Sequence, residues 1–446
     1  MPVDERDECE DAGADEIGGE VAPRVGVPHA QLREHEPRQD EERAGDLDDL
    51  VHAPIMMPGM EQNLRVPGPT PIPAAVREAQ ASPMIDHRGT EFAELQREIC
   101  SGIAELIGTD GEIVLLTGSG SGSLEAAVVN TLSPGDRVLA VSIGSFGDRF
   151  AKIAEAFGAA VDRLDVTWGE AADPTTLRDR LAGADPYRAV LLTHNETSTG
   201  VANPLRELVQ VVRAAPGEPL VLVDGISGLG AMPFEMDAWG VDLVVSASQK
   251  AWMASPGIAI AALGERAVAA LESARMPRFY WDFGGAIAWA SKGQTPWTPA
   301  VSVLYGLRQG VRILRTEGRE RTWARHAVIA AGAQAGLEAL GFALVAPPGH
   351  RSHTVTAAWL PDDLEWAAFN PAMRARGLVV AGGQERMSGK ILRLGHMGDV
   401  SVTEIADAAR VMGDVLAQLG READGERAAA ATVAAHDAAT PVAVAR

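Results

Sequence analysis

Val241-Asp-Leu-Val-Val-Ser-Ala-Ser-Gln-Lys-Ala-Trp-Met-Ala-Ser-Pro-Gly257 decides how this chain is read. From Asp242 to Ala247 it is an apolar, β-branched run of strand length, too short to cross a membrane. Small polar residues follow and deliver one lysine, Lys250. The chain holds four lysines, Lys152, Lys250, Lys292 and Lys390, so a chemistry that needs an amine has few candidates. Desolvation behind a hydrophobic strand lowers a lysine's pKa and frees the amine for Schiff-base chemistry. A lysine taken alone is more often a solvated surface charge. The stretches on either side of Lys250 tip the balance.

Moving outward, short apolar runs alternate with helical patterns. The predicted strands are Glu112–Thr117, Arg137–Ser142, Val161–Val166, Ala189–Thr193, Leu220–Val223, Asp242–Ala247 and Ile258–Ala262. This alternation predicts an α/β fold, a mainly parallel seven-stranded sheet with helices on both faces. In such sheets ligands bind beyond the carboxyl ends of the strands. Four further candidate sites lie just after strands. Gly118-Ser-Gly-Ser-Gly-Ser-Leu-Glu125 opens a helix whose free N–H groups suit a phosphate. No lysine follows the glycines, so it is not a Walker A loop, and no acidic residue ends the next strand as a dinucleotide site requires. An ordinary tight strand-to-helix turn would look the same. Phe146, between small residues in Ser142-Ile-Gly-Ser-Phe-Gly147, offers either a face to a flat ring or a core anchor. Thr193-His-Asn-Glu-Thr-Ser-Thr-Gly200 clusters polar groups after an apolar strand, some of which only turn the chain. Asp224 ends the run Leu220-Val-Leu-Val, where a buried carboxylate needs a partner such as a protonated ring nitrogen, or caps a helix.

A phosphate cradle, a ring-facing aromatic, a polar contact, an acid for a ring nitrogen and a Schiff-base lysine, in that order, match pyridoxal 5'-phosphate (PLP). On these residues the chain resembles the class V, fold type I PLP aminotransferases of the alanine–glyoxylate and serine–glyoxylate group. The resemblance spans about 63–415. Besides the motifs above, it rests on Pro67-Gly-Pro-Thr70, Asp86-His-Arg88, Asn130-Thr-Leu-Ser-Pro-Gly-Asp136, Asp237-Ala-Trp-Gly-Val-Asp242 and Leu392-Arg-Leu-Gly-His-Met-Gly-Asp399. It implies that Ser119, Gly120 and Ser121 hold the phosphate with Gln249 beside it. Phe146, where many relatives carry tryptophan, would stack on the ring, and Thr197 would contact it near its oxygen. Asp224 would pair with the ring nitrogen and Lys250 would form the Schiff base. Arg393 would bind the substrate carboxylate. Thr298, in Thr295-Pro-Trp-Thr-Pro299, resembles the residue that reaches the phosphate from a neighbouring subunit, which implies a homodimer with shared sites. Some relatives carry tyrosine at the position of Thr295, so no role is carried over to it. The implied reaction is transamination of serine or alanine with glyoxylate or pyruvate as 2-oxo acid acceptor. Ureidoglycine–glyoxylate and pyridoxamine–pyruvate transfer are the alternatives, and a non-catalytic binding protein of this fold is the remote one. Cysteine desulfurases share the fold but need a mobile reactive cysteine, and none follows Cys100.

Composition bounds the rest. The 446 residues carry a formal charge of −22, and residues 1–50 hold 17 acidic against 5 basic side chains. The acidity argues against nucleic acid and anionic membrane as partners. Two cysteines, Cys9 and Cys100, give no disulfide framework or Cys-rich metal site, which with the acidic N-terminus points to the cytoplasm. Residues 1–59 read as a disordered acidic extension, with Met56, Met57 and Met60 just before the first organised segment. Residues 60–320 read as the large PLP-binding domain and 321–419 as a smaller C-terminal α/β domain. Residues 420–446, Ala-rich with scattered charge, are expected to fray as a flexible tail. His87 is expected to cap a helix rather than to act in catalysis.

Overall fold

The computed structural model describes residues 62–444; the expected acidic extension 1–59 lies outside them. All seven predicted strands form and join one sheet. They are β1 (Glu112–Gly118), β2 (Arg137–Ser142), β3 (Ala160–Asp165), β4 (Ala189–Thr193), β5 (Leu220–Asp224), β6 (Leu243–Ala247) and β7 (Gly257–Leu263). Their order is β1-β7-β6-β5-β4-β2-β3. Strands β2 to β6 pair in parallel, and β7 runs antiparallel to both β6 and β1.

Strand alternation explains why these runs read as continuously apolar. Leu139, Val141, Val190, Leu192, Val221, Val223 and Val244 face one buried cluster, and Val138, Ala140, Ala189, Leu191, Leu220, Leu222 and Val245 face another. Both faces are therefore dry, as a parallel sheet covered by helices requires. The first cluster is closed by α1 (Thr90–Ile107) through Phe92, Leu95, Ile99 and Ile103, and the second by α2 (Gly120–Thr131) and α3 (Ser145–Ala156) through Leu124, Val128 and Phe150. Register aligns Thr193 with Asp224 and Asp224 with Val245, so the carboxyl ends of β4, β5 and β6 share one edge of the sheet.

Beyond α4 (Val301–Glu317) and α5 (Arg319–Ala339), a four-stranded antiparallel sheet forms in the order β8 (Ala343–Leu344), β9 (Val355–Trp359), β11 (Ile391–Gly395), β10 (Ala381–Gly382). Helix α6 (Val402–Gln418) starts with a reciprocal capping box between Ser401 and Glu404 and covers this sheet with Ile405, Met412 and Val415. The N-terminal segment is stitched to this layer. Asn63–Leu64 pairs in parallel with Leu378–Val379, and the buried Arg65 guanidinium reaches Glu404 at 2.7 Å. The described residues fall in one compact unit.

Two expectations are corrected. As far as it is described, the segment expected to fray from 420 onward does not: Gly425–Val444 is helix α7, packed on α5 and α6 with Ala428, Ala429 and Thr432 buried. Its apolar face is made of small residues, which give little periodic hydrophobic signal but let helices come close. A Cβ at Gly336 would stand 2.3 Å from Thr432 Oγ1, and one at Gly413 would stand 2.3 Å from Gly425 Cα. His87 caps nothing: Gly89 is the N-cap of α1, Asp86 Oδ1 accepts the Arg88 N–H at 2.9 Å, and the His87 ring packs edge-on against Phe92. Among the described residues no helix is long and apolar enough to cross a membrane.

Removing residues 421–446 uncovers the small-residue faces of α5 and α6. The expected result is a drop in thermal midpoint of about 3 °C or more by calorimetry, since each lost kcal/mol shifts a chain of this size by roughly 1 °C. A midpoint unchanged within a degree would mean that α7 contributes nothing to the core.

Candidate active site

The turn after β6 is held from several sides. Ser248 Oγ donates to Ser255 O at 2.7 Å and accepts the Ile258 N–H at 3.1 Å, which pins the chain between β6 and β7. Trp252, fully buried, donates its indole N–H to Ser246 Oγ at 2.8 Å. The Pro67-Gly-Pro-Thr70 segment clasps the other side: the Thr70 N–H donates to Gln249 O at 3.1 Å and the Thr70 hydroxyl to Lys250 O at 3.1 Å. Lys250 Nζ donates to Pro67 O at 2.6 Å. Gly68 sits at φ 126, and a Cβ there would lie 2.5 Å from Lys250 Nζ, so the amine needs a glycine above it. Burial pulls the Lys250 pKa down to about 8, aided by the charges of Arg393 and Arg149 and opposed by Asp224.

Asp224 is buried at the end of β5 and accepts the Ile226 N–H at 2.9 Å. Burial pushes its carboxyl up to about 7; the negative Glu196 adds to this, while the Ile226 bond, Lys250 and Arg149 oppose it. The strand-to-helix turn Ser119–Ser121 lies alongside. Ser119 is the N-cap of α2 with its hydroxyl unspent on the helix, and a Cβ at Gly120 would stand 2.9 Å from Ile226 Cδ1, next to Asp224. Gln249 Oε1 is buried with no hydrogen-bond partner among the described residues.

Phe146 falls in the first turn of α3 rather than in a loop, and the turn is anchored by Glu196. This fully buried carboxylate accepts the N–H groups of Phe146 at 3.1 Å, Gly147 at 3.2 Å and Ser198 at 3.0 Å, and the Ser198 hydroxyl at 2.6 Å. Burial raises its pKa, while those donors and the positive end of α3 favour its charged form. Gly144 makes room for it: a Cβ there would be 2.5 Å from Glu196 Cδ.

Arg393 enters from β11. Buried to 6% exposure, its Nε donates to Gly382 O at 2.8 Å and its Nη1 to Thr197 O at 3.2 Å and Gln384 Oε1 at 3.3 Å. Burial lowers its pKa to about 10, opposed by the negative Glu196, so it stays charged at neutral pH, and it forms no salt bridge among the described residues. The Thr197 hydroxyl donates to Ser227 Oγ at 2.8 Å, and Ser227 donates to Asn195 O at 3.0 Å.

The fold thus brings Lys250, Gln249, Asp224, the turn Ser119–Ser121, Phe146, Thr197 and Arg393 to one end of the sheet. Thr298 is not among them; it is exposed on the loop after Trp297. Sequence reasoning missed Glu196, Ser227, Gly68 and Arg149 as parts of the site. Glu196 and Ser227 lay in quoted motifs, but only the fold shows which polar residue of a cluster points inward.

The sequence profile described as "Aminotransferase class-V" matches residues 75–403. The chain belongs to the class V aminotransferase family. It is 36% identical over 360 residues to the soluble hydrogenase small subunit of Synechococcus sp., covering 80% of this chain and 93% of that one. It is 33% identical over 356 residues to the serine–glyoxylate aminotransferase of Methylorubrum extorquens, covering 78% and 89%. The crystal structure of an aspartate aminotransferase of subgroup IV from Thermus thermophilus superposes with a TM-score of 0.74 at 32% identity, covering 80% of this chain and 99% of that chain.

Family membership implies PLP, and the residues present fit it. An uncapped Ser119 and the helix N–H groups beside it suit a phosphate. Asp224, buried against no cationic hydrogen-bond partner, suits a protonated ring nitrogen. The Lys250 amine, partly neutral near pH 8, suits an aldehyde.

Glu196→Ala leaves two N–H groups at the start of α3, and the N–H and hydroxyl of Ser198, without their acceptor. The expected cost is about 3 kcal/mol or more of unfolding free energy in urea, beyond that of an exposed Glu→Ala change. A loss under about 1 kcal/mol would mean that the α3 start is held by something else.

Proposed function

We propose that this chain is a PLP-dependent transaminase that moves the amino group of a small amino acid, serine or alanine, to glyoxylate or pyruvate. The observation that carries the reading is the pairing of a desolvated lysine amine beside a buried carboxyl with a buried guanidinium, Arg393, that forms no salt bridge among the described residues. Ser119, Gly120, Ser121 and Gln249 would hold the phosphate, Phe146 and Thr197 the ring, and Asp224 its nitrogen. When bound, PLP supplies a protonated ring that accepts the electron pair left at Cα when the amino acid loses its proton.

The chain's own residues supply the rest. Arg393 would take the substrate carboxylate through the N–H groups of Nη2, which no described residue occupies, and so fix which Cα bond faces the lysine. Its Nε and Nη1 are already spent on Gly382, Thr197 and Gln384, which locks the guanidinium plane. Lys250 would act as the base that removes the Cα proton and as the acid that returns one to the cofactor carbon. An amine with a pKa of about 8 is suited to both directions near neutral pH. Asp224 would keep a proton on the ring nitrogen, the bond that offsets the cost of its own burial.

The donor choice leans on the serine–glyoxylate relative and on the Thr193–Gly200 motif. The hydrogenase name is said of the Synechococcus protein, and two cysteines cannot furnish the four thiolates of an iron–sulfur cluster. The proposal extends to a homodimer in which Thr298 reaches the partner's phosphate site. Its exposed position and the aromatic surface beside it, with Phe279 76% and Tyr280 40% exposed, support that reading.

Adding L-serine or L-alanine without acceptor to PLP-loaded protein should bleach the visible absorbance band, and glyoxylate should restore it. Lys250→Ala should abolish turnover, and Arg393→Ala should weaken the donor by about a hundredfold. A band that responds only to aspartate would replace the donor assignment, and one that responds to ureidoglycine or pyridoxamine would shift it to those alternatives. Turnover of Lys250→Ala at near the unmutated rate would end the transaminase reading. On a sizing column the protein should elute as a dimer, and Thr298→Ala should release PLP faster on dilution; a monomer would contradict shared sites.

A further inference from the structure

One cation at the site has no part in the reaction described above. Arg149 lies on α3, three residues beyond Phe146. Its guanidinium sits 4.8 Å from the centroid of the Phe146 ring, and its Nη1 donates to Ser121 Oγ at 3.2 Å. It is half-buried, and no described carboxylate pairs with it. The contrast with its surroundings is sharp: Asp148, the residue before it, is taken by Arg163 from β3. Arg149 is also close enough to shift both the Lys250 amine and the Asp224 carboxyl downward.

We infer that Arg149 is the phosphate-binding cation of this site. The turn Ser119–Ser121 carries hydroxyls and helix N–H groups but no positive side chain, and a helix start contributes only about half a charge. A phosphate monoester near pH 7 carries about −1.5 to −2. A planar guanidinium fixed by Ser121, itself a residue of the turn, supplies the missing charge and a fork of donors matched to phosphate oxygens. The Phe146 face holds the guanidinium plane, so the aromatic that would support the ring also orients the cation. The inference rests on the PLP reading of the site.

The test separates the phosphate from the rest of the cofactor. PLP and pyridoxal share the aldehyde and the ring but differ in the phosphate. Their dissociation constants are measured by absorbance and by quenching of tryptophan fluorescence for the unmutated protein, Arg149→Gln and Arg149→Lys. Arg149→Gln should weaken PLP by about tenfold to a hundredfold and leave pyridoxal within about twofold. Arg149→Lys, which keeps the charge without the fork, should fall between. Inorganic phosphate should compete with PLP less well in Arg149→Gln than in the unmutated protein. Equal weakening of PLP and pyridoxal would show that Arg149 merely positions Phe146, and unchanged PLP binding in Arg149→Gln would remove it from the site; either overturns the inference while leaving the transaminase reading intact. If the unmutated protein binds neither compound, both readings fall together.

Discussion

The desolvation of one amine is the constraint on which the rest depends. Lys250 can titrate near 8 only if water is kept from it, and nearly every local feature serves that end. A strand dry on both faces leads into it, the fully buried Trp252 anchors the turn through Ser246, and the Pro67 carbonyl accepts the amine's hydrogen bond. Glycine suits position 68, since at φ 126 an L side chain is strained and its Cβ would stand 2.5 Å from the amine. A lysine in this setting would be a liability without a compensating charge, and Asp224 provides it. Burial moves the amine down and the carboxyl up, while each charge favours the other's ionised form.

The same economy governs the other charges. Glu196 is buried, yet it is surrounded by donors at the start of α3 and so fixes Phe146. Arg393 is buried, yet its fork is aimed by backbone carbonyls from β4's following loop and from β10. Neither residue is where a water-exposed charge would choose to be. Both are supported by the junction between the seven-stranded sheet and the four-stranded one, which is why the site needs both layers. Helix α7 adds to the smaller layer from behind, through contacts between small residues.

Much of this was legible in the sequence because parallel strands buried on both faces announce themselves. All seven central strands were readable as apolar runs, with ends within a residue or two of those observed. The candidate residues after each strand could be named because the carboxyl ends of parallel strands are where such sheets bind ligands. Two kinds of feature stayed hidden. Helix α7 carries alanine and threonine where a helix normally signals with leucine, so its packing could not be seen without its neighbours. Glu196, Ser227 and Arg149 lie among equally polar residues, and no local rule tells which of them points inward. Arg393 was identifiable only by its family motif, one arginine among 35.

The most direct test of the central claim is to trap the bond at the amine. The protein is incubated with PLP, reduced with borohydride and digested, and the peptides are weighed. The account predicts one phosphopyridoxyl group per chain, on the peptide that contains Lys250, with Lys152, Lys292 and Lys390 unmodified. Label spread over the four lysines, or concentrated on one of the other three, would contradict it.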